Sequence, residues 1–298
     1  FFQAEAGIRA QPRSRGLGDV YKRQLSTRMR FAFVVVKKDT RRAMQLGDHH
    51  PLGSIDNEGA VLGHDRQLAE VDLSRLRVAW STDLGSVPVD HTIARLFAER
   101  VESVASAFHS CERRDPDMSR ALEVFWIIRG VHFLAGQMEN YRRFPEKLGP
   151  NVTGNVQAGL EMTAEEIAWA TAEQTRLYRE FQTFFEDVDL LLCPGNAVPP
   201  FPIEQLYCEE INGNKVENYV EWLGIASAIT LTGHPETLLP VGLDHTETPM
   251  GMQVVGPRRH SDAFTLATAA SIEKLLQQTE STRRPVPDIT ALSGTQGV

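Results

Sequence analysis

From Leu76 onward the chain alternates short, unbroken apolar runs with longer one-sided apolar stripes. "LRVAWS" at 76–81 has the length and composition of a strand. Behind it Asp90 stands as an N-cap to a helix whose Ile93, Leu96, Phe97, Val101, Val104, Ala105 and Phe108 recur at helical spacing. A second helix is predicted from about Ser119 to Gln137, and its "VFWIIRGVHFLAG" is apolar on nearly every side apart from Arg129 and His132. Thr163-x-x-Glu166 is a capping box, and the stripe running on through Leu177, Phe181, Phe184 and Val188 marks a helix packed on a sheet.

"DLLLCP" at 189–194 is continuous rather than alternating, as expected of a strand covered on both faces. A Pro-rich loop, "PGNAVPPFP", comes next. A helix is then expected from about Glu217 to Thr230, ending at Gly233. Strands follow at "TLLPVGL" and "GMQVVG" around a turn at Thr248-Pro249, and Ser261 caps a last helix to about Gln277. Strands alternating with helices predict an α/β class: a layered mixed β-sheet with helices on both faces.

The first 24 residues show neither period and differ in composition from the rest of the chain; "SRGLGDVYKRQ" resembles a translated sequencing adapter, so residues 1–24 are expected to be non-native. Residues 25–70 join a basic cluster, the apolar "FAFVVV" and a Gly/Asp/His-rich loop, and read as a frame-damaged linker. Residues 71–280 are the regular region, and 281–298 are expected to be a disordered tail.

Composition narrows the functional classes. A formal net charge of -8 with scattered basic residues argues against nucleic-acid binding. The apolar run at 31–36 is too short for a signal core or a membrane span. Three cysteines without CxxC spacing indicate neither a disulfide framework nor a zinc ribbon, and a reducing cytoplasm is the expected compartment. No cofactor is implied.

The familiar local motifs of catalysis are missing: there is no G-x-S-x-G, P-loop, H-E-x-x-H or EF-hand pattern. "GDHHP" at 47–51, with His64, reads as a solvated loop rather than a metal site, so no metal is expected. Cys193 ends a buried strand with no activating neighbour in sequence, and is read as a pocket wall rather than a nucleophile. His234 before Pro235 suits turn capping better than general-base work, and Asn151-x-Thr153 reads as an ordinary turn.

The blocks "DLLLCPGNAVPPFP" and "YVEWLGIASAITLTGHPETLLPVGLDHTETPMGMQVVGPRRHSDAFTLATAASIE" resemble the C-terminal half of the amidase signature family. "LSRLRVAWSTDLGSVPVDHTIARLFAERV" is similar to the segment that opens the same half. The resemblance spans roughly residues 71–278 and implies a serine hydrolase of carboxamides. In that family a lysine deprotonates one serine through a second, and an acyl-enzyme forms against backbone N–H donors.

The sequence contains no Gly-Gly and no Ser-Ser dipeptide, so the family's Gly/Ser-rich nucleophile segment has no counterpart and no catalytic residue is transferred. The expectation is a fragment whose triad lay upstream of the Gln24-Leu25 junction. Within this half, Cys193, Asn196, Phe201 and Trp222 are the candidate substrate-binding residues: Asn196 to hydrogen-bond a carboxamide, Phe201 and Trp222 to hold an apolar group. A small-molecule amide is the expected partner, with self-association (a homodimer among its forms) through an exposed sheet edge as a further expectation. A transferase resembling an amidotransferase subunit and a non-catalytic small-ligand-binding module stand as the alternatives.

Overall fold

The computed structural model describes residues 69–257 and 262–286, together with the backbone of 33–35. The chain divides into two units, residues 1–31, none of which is described, and 32–298, which holds every element named below. The adapter-like segment, most of the 25–70 stretch, "GDHHP", His64 and Ser261 therefore lie outside the described residues.

The strands and helices, in chain order, are β1 (Phe33–Val35), β2 (Arg77–Trp80), α1 (His91–Ala105), β3 (Ser110–Arg113), α2 (Ala121–Arg143), α3 (Pro150–Glu161), α4 (Ala164–Asp187) and β4 (Leu190–Pro194). The small hairpin β5 (Glu210–Ile211) and β6 (Asn214–Lys215) follows, then α5 (Gly224–Thr232), β7 (Glu236–Leu243), β8 (Pro249–Val255) and α6 (Asp262–Leu276). The main sheet is mixed and runs β1-β7-β8-β4-β2-β3. Strand β2 lies between β3 and β4, parallel to both, whereas β8 is antiparallel to β4 and to β7.

The α/β expectation of a layered mixed sheet with helices on both faces holds, and β4 shows why. Leu190, Leu191, Leu192 and Cys193 all measure 0% exposure, so successive side chains pointing to opposite faces are sealed alike. Helix α6 packs on β7 and β8 and touches α1, which packs on β4. The other helices close the opposite face through α4, whose Leu177, Phe181 and Phe184 join the same core as β4. The Thr163 capping box forms as its sequence dictates, with Thr163 Oγ1 accepting from Glu166 N and the Glu166 carboxylate accepting from Thr163 N.

Four expectations are corrected. Asn151 and Thr153 sit in the first turn of α3 rather than in an open turn, because Pro150 occupies the first helical position, where its missing N–H costs nothing. The helix expected from Glu217 begins only at Gly224, preceded by a single 3-10 turn, Glu221–Leu223. A Cβ at Gly224 would meet a Val87 methyl at 2.5 Å and Leu122 at 3.3 Å, so this start is a close crossing over α2. Helix α2 runs on past Gln137 to Arg143.

The fourth concerns the tail expected from 281, whose first residues are tied down. Thr282 is buried, its hydroxyl donating to Leu276 O at 2.7 Å. Gly242, at φ +89°, admits the passing Ser281 carbonyl where a Cβ would lie 2.1 Å from it.

Candidate active site

Two parallel neighbours of β2 are reached by connections that leave in opposite directions, toward β3 on one side and β4 on the other. At such a switch point the loops beyond the carboxyl ends separate and open a crevice. Here those loops are 81–90 after β2 and 195–203 after β4.

They are stitched to one another. Asp90 N–H donates to Ala197 O at 2.8 Å, while Asp90 Oδ1 accepts from Thr92 and Ile93 N–H and so starts α1. Asn212, in the β5–β6 turn, donates to Val89 O at 2.8 Å and accepts from His91 N–H at 2.9 Å. Gly195 lies so close to Gly251 that its added Cβ would stand 2.9 Å from the Gly251 carbonyl carbon, and its N–H donates to Gly251 O at 2.8 Å. The buried Gln253 amide completes the seam by donating to Pro194 O at 2.7 Å.

The four sequence-predicted residues separate in this setting. Cys193 is wholly enclosed opposite Gln253, and burial, reinforced by Glu236, pushes its thiol well above the usual range. It is a neutral core group with no face toward a ligand. Asn196 donates Nδ2–H to Val198 O at 2.6 Å, which fixes the loop and leaves its Oδ1 without a bond among the described residues. Phe201 and Trp222 are brought together, edge to face at 5.3 Å between ring centres. Trp222 Nε1–H is sealed from solvent and has no hydrogen-bond partner among the described residues.

A cleft of about 370 Å³ opens at the carboxyl ends of β2 and β3, lined by Trp80, Asp83, Val87, His91, Arg95 and Arg113 among others. It touches none of the four predicted residues. At its base Ser81 donates to Asp115 Oδ1 at 2.6 Å and accepts from Leu84 N–H at 2.7 Å. With no exposure and both capacities used, Ser81 holds the turn rather than attacking a substrate.

His234 is likewise a core residue: Phe181 meets it edge-on at 4.7 Å, Phe185 stacks at 5.2 Å, and Gln182 Nε2 lies 2.5 Å from its Nε2. A nest of rings on α4 therefore explains a histidine that the sequence alone assigns to a turn. Among the described residues no group of three or more His, Cys, Asp or Glu side chains is placed to hold a metal ion. None of the described helices is long and apolar enough to cross a membrane.

Sequence reasoning singles out Arg129 only as a polar break in an apolar helix, and passes over Asn155 and Tyr219, which the fold joins to it. Arg129 Nε–H donates to Asn155 Oδ1 at 3.0 Å, and Tyr219, three residues before Trp222, accepts from both. The available signal is the isolated cation; its partners come from two other segments and share no sequence spacing with it.

Comparison with known proteins agrees with this architecture. The profile of the family described as Amidase matches residues 38–264. An acylamidase of Rhodococcus erythropolis is 23% identical over 205 residues, 68% of this chain and 43% of the relative. An indoleacetamide hydrolase of Bradyrhizobium diazoefficiens is 37% identical over 111 residues, 36% of this chain and 20% of its own length. Among solved structures, an amidase superposes with a TM-score of 0.62 at 21% identity, covering 72% of this chain and 49% of that one. A bacterial aryl acylamidase of the amidase signature enzymes gives a TM-score of 0.60 at 18% identity, covering 68% and 44%. The chain spans less than half the length of each of these proteins.

Proposed function

Since the chain belongs to the amidase family, we propose that it acts as the substrate-binding portion of a hydrolase of carboxamide C–N bonds. The observation that carries this reading is the match of residues 38–264 to the Amidase profile, with the rings of Phe201 and Trp222 brought together edge to face. A carboxamide presents both an accepting oxygen and donating N–H groups. Asn196 Oδ1 supplies the complementary acceptor for the amide N–H, and Phe201 an apolar wall for the acyl or amine substituent. Cys193 has no part in this site, since it is fully enclosed.

The chemistry we propose for the full-length parent is acyl transfer by a Ser-Ser-Lys triad. A neutral lysine takes the proton of a bridging serine, which takes that of the nucleophile; the amine leaves, and water releases the acid. Those residues are not contributed by this chain, which has no double serine and no Gly/Ser-rich segment. The names of the relatives, an acylamidase and an indoleacetamide hydrolase, support a carboxamide over other carbonyl substrates.

Reading the source DNA upstream of Gln24 and expressing the longer polypeptide tests the proposal. Fluorophosphonate is expected to label a serine upstream of Leu25 and none within residues 25–298, with ammonia released from a panel of neutral amides only by the longer form. Turnover accompanied by labelling inside 25–298 overturns the assignment of the nucleophile to the upstream segment. A correctly joined, folded polypeptide that hydrolyses no member of the panel overturns the amide reading itself.

A further inference from the structure

Arg129 stands in the middle of α2, a helix otherwise largely apolar, and its guanidinium is surrounded by rings: Phe133 at 4.7 Å, Tyr219 at 5.5 Å and Phe125 at 5.9 Å. Its Nε–H is shared between Asn155 Oδ1 at 3.0 Å and the Tyr219 phenol oxygen at 3.1 Å, and Nη2 donates to the same phenol oxygen. Asn155, 2% exposed, donates Nδ2–H both to Tyr219 at 2.9 Å and to Asn151 O at 2.6 Å. No carboxylate of the described residues lies within ion-pair distance of Arg129. Its Nη1 makes no hydrogen bond to them, yet it is not sealed from solvent.

The hydrogen-bond inventory is lopsided. A guanidinium brings five N–H donors, a primary amide two and a phenol one, whereas the acceptors in place are Asn155 Oδ1, the phenol oxygen and Asn151 O. The phenol oxygen already receives three donors, so its own hydrogen has to be given to something else. A half-buried cation without a counter-charge, among donors without acceptors, lacks a group that is both negative and acceptor-only. A carboxylate is that group: its two oxygens match the forked guanidinium, and one negative charge balances one positive.

We infer that Arg129 and Tyr219, held in place by Asn155, form a receptor for the carboxylate of a small aryl or arylalkyl acid. The open Nη1 edge of Arg129 and the Tyr219 O–H contact the carboxylate, while Asn155 positions both. Phe125, Phe133 and Tyr207, the last 6.4 Å from the Tyr219 ring, favour a flat apolar body behind the charge. Such a receptor is a site additional to the amide-binding one and is tested by binding alone, so it survives or fails apart from any turnover.

The full chain is titrated with phenylacetate, phenylacetamide and inorganic phosphate at constant ionic strength, with binding followed by calorimetry and by the shift in Tm. Phenylacetate is expected to bind about tenfold or more tightly than phenylacetamide, the scale of a charge-assisted hydrogen bond. Arg129→Gln should erase that preference. Arg129→Lys should recover only part of it, because a point charge replaces a fork, and Tyr219→Phe should weaken phenylacetate several-fold with little change for phenylacetamide. If Arg129→Gln does not fold, the Lys and Phe variants decide. Equal affinity for acid and amide, phosphate binding as tightly as phenylacetate, absence of binding by all three, or full phenylacetate affinity in both conservative variants each overturns the receptor.

Discussion

The sheet with its adjoining helices and the outer layer of α2, α3 and the 201–223 segment are built on different principles. Around β4 the side chains are apolar, sealed and matched by van der Waals contact; even the one thiol there is neutral because burial disfavours its charged form. In the outer layer, aromatic rings are half-exposed and polar atoms outnumber their partners, as at Trp222 Nε1 and the Arg129 cluster. The first region gains its stability chiefly from apolar contact, with Arg100 Nε and the hydroxyls of Thr237, Thr265 and Thr268 the buried polar atoms there that have no hydrogen-bond partner among the described residues. The second keeps donors unspent, which is how a surface stays receptive to a ligand at a cost to the empty state.

The largest expected contrast comes from truncating one ring on each side. Phe181→Ala, at 0% exposure and in contact with Phe184, Phe185 and His234, should cost about 3–5 kcal/mol in urea unfolding. Phe201→Ala, partly exposed, should cost no more than about 1–2 kcal/mol. Equal costs would erase the distinction between the two regions. Gly242→Ala comes next: a φ of +89° and a carbonyl 2.1 Å from the new Cβ should cost about 2 kcal/mol and free residues 281–286 to limited proteolysis. Protection unchanged from the parent would show that the tail is not fastened there.

The smallest effect is a pH dependence at the β7–β8 turn. Burial alone would raise the Asp244 carboxyl, but hydrogen bonds from Thr246 Oγ1 and from the Thr248 and Thr246 N–H groups, with the nearby His245 charge, hold it below the ordinary range. A depressed carboxylate stabilises the fold above its unfolded pKa of about 4, and that contribution is lost as pH falls through the lower, folded value. Asp244→Asn should therefore flatten the acid limb of stability below about pH 4 by under roughly 1 kcal/mol. A parallel shift of the whole curve would mean that the turn is held by geometry rather than by charge.

Much of the scaffold is legible in the sequence because its signals are local or periodic. The Thr163 capping box, the Asp90 cap, the unbroken run of β4 and the family blocks at 189–202 and 219–273 each announce themselves within a few residues. The elements that sequence reading misses are those whose formation depends on distant partners. Strand β3 is too short and polar to read alone and exists because β2 offers it a parallel edge. Helix α3 can approach α2 closely because Gly159 and Gly130 meet without side chains.

For the site, Phe201 and Trp222 are readable as aromatic anchors in a loop-rich stretch, and the fold pairs them. The position of Cys193 at the end of a strand says nothing of what covers it, and the fold encloses it fully. The Arg129 cluster needs three segments to meet, at 129, 155 and 219, and no spacing rule encodes that.

The pairing of β2 with β4 has a consequence for the order in which the molecule is made. Arg77 and Asp189, 112 residues apart, close the base of that pair with a backbone and a guanidinium hydrogen bond to one carboxylate. Every residue of α1 through α4 is threaded between them. During synthesis β2 must wait for more than a hundred residues before its inner neighbour β4 emerges, and β4 in turn waits for β8, each with an apolar strand edge open meanwhile. Loop closure of this length adds only a few kcal/mol of entropy, but it places the decisive contact late. A slow folding phase is therefore expected to track the arrival of Leu190–Pro194 rather than the formation of any helix.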